Sequence, residues 1–150
     1  MLDRIIARLL GTPRLMRIPI LLYRAGLGRL LGRRLVMIEH LGRASGEARY
    51  VVVEVVEREG RALRVASGFG AKAQWYRNLR ANGVAYLSTG GVRRERVRVN
   101  LLDDEGSGRV LARYASAHPA AWRRLKAAMD AAQGGDARIL VVEFTPLDSA

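Results

Sequence analysis

Cysteine is absent from this 150-residue chain, which excludes a disulfide framework and a thiolate metal site. A reducing cytoplasm suits that composition and is the expected location. Histidine occurs only as His40 and His118, neither with a carboxylate or second histidine at ligand spacing, so no metal site is expected. Lysine is nearly missing: of 26 basic residues, all but Lys72 and Lys126 are arginine. Aromatics amount to 6%. None interleaves with Arg94, Arg96 and Arg98, which removes the stacking platform of a nucleic-acid track and ranks nucleic acid last among partners. The densest apolar run, Ile18 to Tyr23, is far short of the roughly 20 residues that cross a bilayer. No small-residue cleavage site follows an apolar core at the N-terminus, so no signal peptide is expected. Gly-x-Ser-x-Gly, His-Glu-x-x-His and P-loop patterns are missing too, which leaves any chemistry to a bound cofactor.

What is present is a globular composition, 49% apolar, of a size to form one domain, 1–150. Its net charge of +12 favours an anionic partner: nucleic acid, acidic lipid or a polyanionic cofactor. The charge is uneven. Residues 1–34 carry Arg4, Arg8, Arg14, Arg17, Arg24, Arg29, Arg33 and Arg34 against Asp3 alone. Leu2, Ile5, Ile6, Leu9 and Leu10 share one helical face, and a second basic amphipathic segment runs from Arg14 to Arg34 with Pro19 in its first turn. The region 1–33 thus reads as N-terminal helices that pack on their own domain or touch an anionic membrane.

Beyond residue 33 the period changes. Strands are expected over Arg34–Leu41, Tyr50–Val56, Leu63–Ser67, Val84–Ser88, Val92–Leu101 and Ile139–Phe144, with Gly90-Gly91 as a hairpin turn. Helices are expected over Ala71–Asn82, from Asp103 or Asp104 to Ala117, and over Ala120–Ala132. Six mainly antiparallel strands with flanking helices make an α+β fold with a curled sheet or small barrel, residues 34–150 forming the core.

The sharpest local signal is a strand, then Ser67-Gly68-Phe69-Gly70, then a helix. Glycines let backbone approach a ligand, and a helix amino end attracts phosphate. Lys72, placed in that helix's first turn, opposes the dipole unless an anion binds there. The turn Gly42-Arg43-Ala44-Ser45-Gly46, followed by Arg49, is a second candidate nest for an anion; a solvated hairpin turn is the plainer alternative. Arg94, Arg96 and Arg98 alternate along one strand and share a face, expected to be solvated. Tyr50, Tyr76 and Tyr114 are candidate contacts to a substrate, with core packing as the alternative for each.

Three stretches together carry a resemblance: Gly42-Arg-x-Ser-Gly46 with Arg49, Ala66-Ser67-Gly-x-Gly70, and Trp75-Tyr76-x-Asn78-Leu79-x-Ala81. In this order the chain resembles the deazaflavin-dependent nitroreductase family over residues 34–145. The resemblance implies a split β-barrel that binds coenzyme F420, a deazaflavin with a phosphodiester and an acidic glutamyl tail, with FMN as the alternative cofactor. It implies hydride transfer from reduced F420 to a quinone, a nitroaromatic or another activated small-molecule acceptor. By position it puts Arg43, Ser45 and Arg49 at the phosphate and tail. Ser67, Gly68, Phe69, Gly70 and Lys72 would flank the phosphate and ring, and Trp75 and Asn78 would line the cofactor or hold the helix. Ala44 and Gly68 stand where the family often has lysine. Split barrels also often pair as homodimers. Two further readings stay open at this point: a ligand-binding split barrel without turnover, and a binder of nucleic acid or membrane surface.

Overall fold

The computed structural model describes residues 17–147. The expected helix over residues 2–10 lies outside them. Six strands run β1 Leu35–Leu41, β2 Ala48–Glu59, β3 Ala62–Ser67, β4 Val84–Thr89, β5 Val92–Leu101 and β6 Leu140–Pro146. They close into a barrel in the order β1-β2-β3-β6-β5-β4, every neighbouring pair antiparallel. Period-2 alternation sends Val36, Ile38, Leu63, Val65, Leu87, Val97, Val142 and Phe144 into one interior cluster.

The helices are α1 Arg17–Arg24, α2 Gln74–Asn82, α3 Asp104–Ala117 and α4 Pro119–Gln133. Helix α2 adds Tyr76 and Leu79 to the barrel's interior cluster. Helices α3 and α4 place Val110, Leu111, Tyr114 and Met129 with Val56, Ala66 and Val141, from the opposite face of the sheet. Asp103 caps α3, its Oδ1 accepting from the Gly106 N–H at 2.7 Å, and Pro119 opens α4 where a missing N–H costs nothing. Tyr23 of α1 packs with Leu35, Met37 and Val52 on the outside of β1 and β2.

Within the basic segment from Arg14 to Arg34, α1 stops at Arg24, Gly26 turns at φ +82°, and a separate 3-10 turn covers Gly28–Leu31. One expectation needs correction: the helix expected over 71–82 starts late. Gly70–Lys72 is a 3-10 turn, Ala73 is extended, and only then does α2 begin, so Lys72 precedes the helix rather than sitting in its first turn. Arg94, by contrast, keeps the outer face of Arg96 and Arg98, the face of Tyr86 and Glu39, although its backbone is irregular. A bulge breaks the β4–β5 register between Leu87 and Thr89, Arg94 takes φ +50°, and its N–H donates to Ser88 Oγ at 3.0 Å. Its guanidinium then reaches both Glu39 oxygens, at 3.0 and 2.8 Å, and lies over the Tyr86 ring.

Candidate anion-binding site

The turn between β1 and β2 and the helix α2 are distant in sequence and joined in space by one asparagine. Asn78 Oδ1 accepts from the Arg43 backbone N–H at 3.0 Å and from its guanidinium Nη1 at 2.9 Å. Arg43 Nη2 donates to Gln74 Oε1 at 2.9 Å. One turn further along α2, Asn82 Nδ2 donates to the Leu41 carbonyl at 3.0 Å. Arg43 is therefore fixed by neutral amide oxygens, which orient the fork without cancelling its charge.

With Oδ1 committed to Arg43, the Asn78 amide nitrogen faces His40, whose Nδ1 lies 3.0 Å away. An amide nitrogen only donates, so His40 Nδ1 accepts and the ring proton sits on Nε2. Both side chains are buried. Burial, helped by the Arg49 charge, brings the His40 pKa down to about 4. The unfolded chain protonates this imidazole near pH 6.5, so between those values the unfolded state holds the extra proton. The stability the neutral imidazole contributes is complete above pH 6.5 and is lost as pH falls toward 4. Between pH 7 and 5 the wild type should lose about 1 kcal/mol more than His40→Gln, after allowance for screening by water. Thermal melts of the two proteins at both values check this.

Arg43, Lys72, Arg77 and Arg80 line a groove of about 530 Å³ floored by Ala71 and Ala81. Arg64, Arg94, Arg113 and Arg138 are all paired with carboxylates. Among the described residues none of the four groove cations has a carboxylate within salt-bridge distance. Helix α2 begins beside them with no acidic residue in its first turn and no side-chain cap at Ala73. Four unneutralised cations and an open helix start form a binding surface for an extended polyanion.

The structure brings together some of the sequence candidates and separates others. Arg43 and Lys72 meet at the groove, with Asn78 buried behind Arg43. Ser45, on the exposed turn, and Arg49, at the start of β2, stay outside its lining: Ser45 Oγ accepts from the Glu47 N–H at 3.2 Å, and Arg49 lies 3.7 Å from Glu47. Ser67 is fully buried and donates its hydroxyl to the Gly70 carbonyl at 2.7 Å, so it braces the loop. Gly68 packs on Met129 of α4. Gly70 adopts φ +56°, and a β-carbon there would sit 3.0 Å from the Arg138 carbonyl oxygen, so both torsion and space demand glycine. Phe69 projects from the loop, 54% exposed. Trp75 is half-buried against the barrel cluster, edge-on to Tyr76.

The three tyrosines fall in three places. Tyr76 is core. Tyr50 lies under the Arg24 guanidinium, 4.7 Å from ring centre. Tyr114 lines a recess of about 610 Å³ with Val55, Val56, His118, Ala121 and Arg124. Arg77 and Arg80 escaped the sequence reading because they occupy the unspecified positions of the Trp-Tyr-x-Asn-Leu-x-Ala pattern. Their i, i+3 spacing beside Lys72 was the available signal.

Comparison with known proteins gives a family and a fold. The family described as F420H(2)-dependent quinone reductase matches residues 15–137. The comparison with curated proteins gives no match. Among solved structures the chain is similar to one described as a domain-swapped dimer, with 22% identity and TM-score 0.57, covering 85% of this chain and 93% of that one. It is also similar to the F420-H2 dependent reductase FDR-A, with 22% identity and TM-score 0.51, covering 75% and 95%. A Clostridium acetobutylicum protein of the pyridoxinephosphate oxidase family, related to general stress protein 26, matches with 12% identity and TM-score 0.51, covering 83% of each chain. These likenesses show the fold, a split β-barrel.

Proposed function

Because the chain belongs to the F420H(2)-dependent quinone reductase family, and is thereby an oxidoreductase that depends on coenzyme F420, we propose that it reduces a quinone with the cofactor's acidic tail held in the Arg43 groove. The four unneutralised cations carry this reading. A phosphodiester and glutamyl carboxylates need several positive groups spaced along a line, and Arg43, Lys72, Arg77 and Arg80 supply them along one groove. When bound, reduced F420 supplies a hydride. The protein's share is to hold the cofactor by its tail and to exclude water from the reacting pair. Tyr114 is buried much as Tyr76 is, but it lines the recess of about 610 Å³, so it is the tyrosine to test first as an acceptor contact. Nitroaromatics are a second acceptor class to assay beside quinones. Titration with F420, followed by its fluorescence, should give a dissociation constant in the micromolar range and a weaker one for FMN. Tighter binding of FMN, or none of F420, would overturn the assignment.

The N-terminal segment favours a second element of the reading, contact with an anionic membrane. Ile18, Leu21, Leu27 and Leu30 are exposed at 48, 61, 49 and 74% among the arginines Arg17, Arg24, Arg29 and Arg33. Apolar side chains within a cationic ring suit an acidic lipid surface. No helix among the described residues is long and apolar enough to cross a membrane. Leu21→Asp with Leu30→Asp should cut cosedimentation with phosphatidylserine vesicles about tenfold and leave F420 binding unchanged. Equal sedimentation of wild type and variant would remove the segment from the membrane. Homodimerisation is the third element, to be decided by light scattering of the purified protein.

A further inference from the structure

We infer that His40, buried and outside the groove, is a positioning residue that holds Arg43 in place through Asn78. The inference rests on the cofactor reading above. Arg43 is the one groove cation that comes from outside the 71–81 segment, since Lys72, Arg77 and Arg80 all belong to the 3-10 turn and α2. Its place thus depends on what ties the β1–β2 turn to that helix.

Asn78 makes that tie with a single oxygen accepting two Arg43 donors. A primary amide can rotate by half a turn and exchange oxygen for nitrogen at little cost in shape. The rotated form would present N–H groups to the Arg43 N–H and guanidinium, donor against donor. The two Arg43 donors therefore set the amide, and His40 Nδ1 at 3.0 Å, as the Nε2–H tautomer, adds an acceptor for its nitrogen, so rotation would cost both Arg43 bonds and a change of tautomer at His40. His40 is the β1 residue paired across the sheet with Arg49, next to Leu41, whose carbonyl takes the Asn82 amide. The imidazole is thereby fixed to the strand that leads into the turn, and His40–Asn78–Arg43 is a continuous hydrogen-bonded chain that braces Asn78 from the side away from Arg43.

The result expected is specific. His40→Leu and His40→Met remove the acceptor at similar size, while His40→Gln restores one. In wild type the Arg43 amide hydrogen, tied to Asn78, should exchange slowly with deuterium. The two apolar variants should exchange it about tenfold faster and weaken F420 and inorganic pyrophosphate by about tenfold, the worth of one hydrogen bond. His40→Gln should recover most of both, and the turnover of saturated enzyme should move less than KM. Thermal melts identify a variant that fails to fold, and the other apolar variant then carries the comparison.

Unchanged Arg43 exchange in the apolar variants would overturn the inference. Faster exchange with unaltered affinity for both anions would overturn it as well, since Arg43 would then not need holding. If wild type bound pyrophosphate but not F420, the cofactor reading would fall alone, and exchange with pyrophosphate affinity would still decide the role of His40. If wild type bound neither, both would fall.

Discussion

Arg43→Ala should weaken F420 binding by on the order of a hundredfold. The substitution removes a guanidinium held at 2.9 Å from both Asn78 and Gln74 and facing an anion groove. Two charge-assisted hydrogen bonds to a phosphate or carboxylate are worth about 3 kcal/mol together, which is two powers of ten in Kd. Arg43→Lys should recover little, because a single ammonium cannot span two amide acceptors and present a further donor. Arg98→Ala is the control: an exposed arginine on β5, it lowers the net charge equally without touching the groove. Its Kd should change less than about twofold. Fluorescence titration of the three variants at two salt concentrations measures this, and the Arg43 deficit should shrink as salt rises. Equal losses for Arg43→Ala and Arg98→Ala would mean that the overall field, not the groove, attracts the cofactor.

Leu79→Ala should destabilise the protein by about 3 kcal/mol, from lost burial and the cavity it leaves. Leu79 is fully buried and shares the barrel's interior cluster with Ile38, Leu87 and Val97. For a chain of this length the melting temperature should drop by about 10 °C. The cavity also loosens α2 on the barrel, and α2 carries Gln74, Arg77, Asn78 and Arg80. F420 affinity should therefore fall together with stability, although Leu79 does not line the groove. Differential scanning calorimetry with a parallel F420 titration separates the outcomes. A drop in melting temperature with intact affinity would show that the groove survives loosening of its helix.

The Trp-Tyr-x-Asn-Leu pattern thus does two jobs that the sequence shows as one. Tyr76 and Leu79 face the barrel, while Asn78 faces the β1–β2 turn. Helical spacing makes the first job legible, since residues three apart share a face. The second depends on a turn more than thirty residues earlier, which no local pattern specifies. The same limit explains Ser67. As a hydroxyl beside two glycines it had the look of a phosphate ligand, yet it closes its own loop on Gly70.

Alternation and turn chemistry alone settled most of the architecture. The six strands were readable from apolar, β-branched or alternating runs bounded by turns and helix starts, because a strand's side chains alternate whatever it pairs with. The charge excess and the arginine-rich first 34 residues needed no structure either. Tertiary structure decided where pairing closed the ring, β4 returning to β1, because partner choice is a contest among distant segments that local period does not enter. It also decided the local irregularities: the late start of α2 at Gln74 and the β5 bulge where Arg94 takes φ +50° and its N–H donates to Ser88. The groove is of the same kind. Lys72, Arg77 and Arg80 are neighbours in sequence, but only folding brings Arg43 against them, and only the three-dimensional arrangement leaves all four without a carboxylate among the described residues.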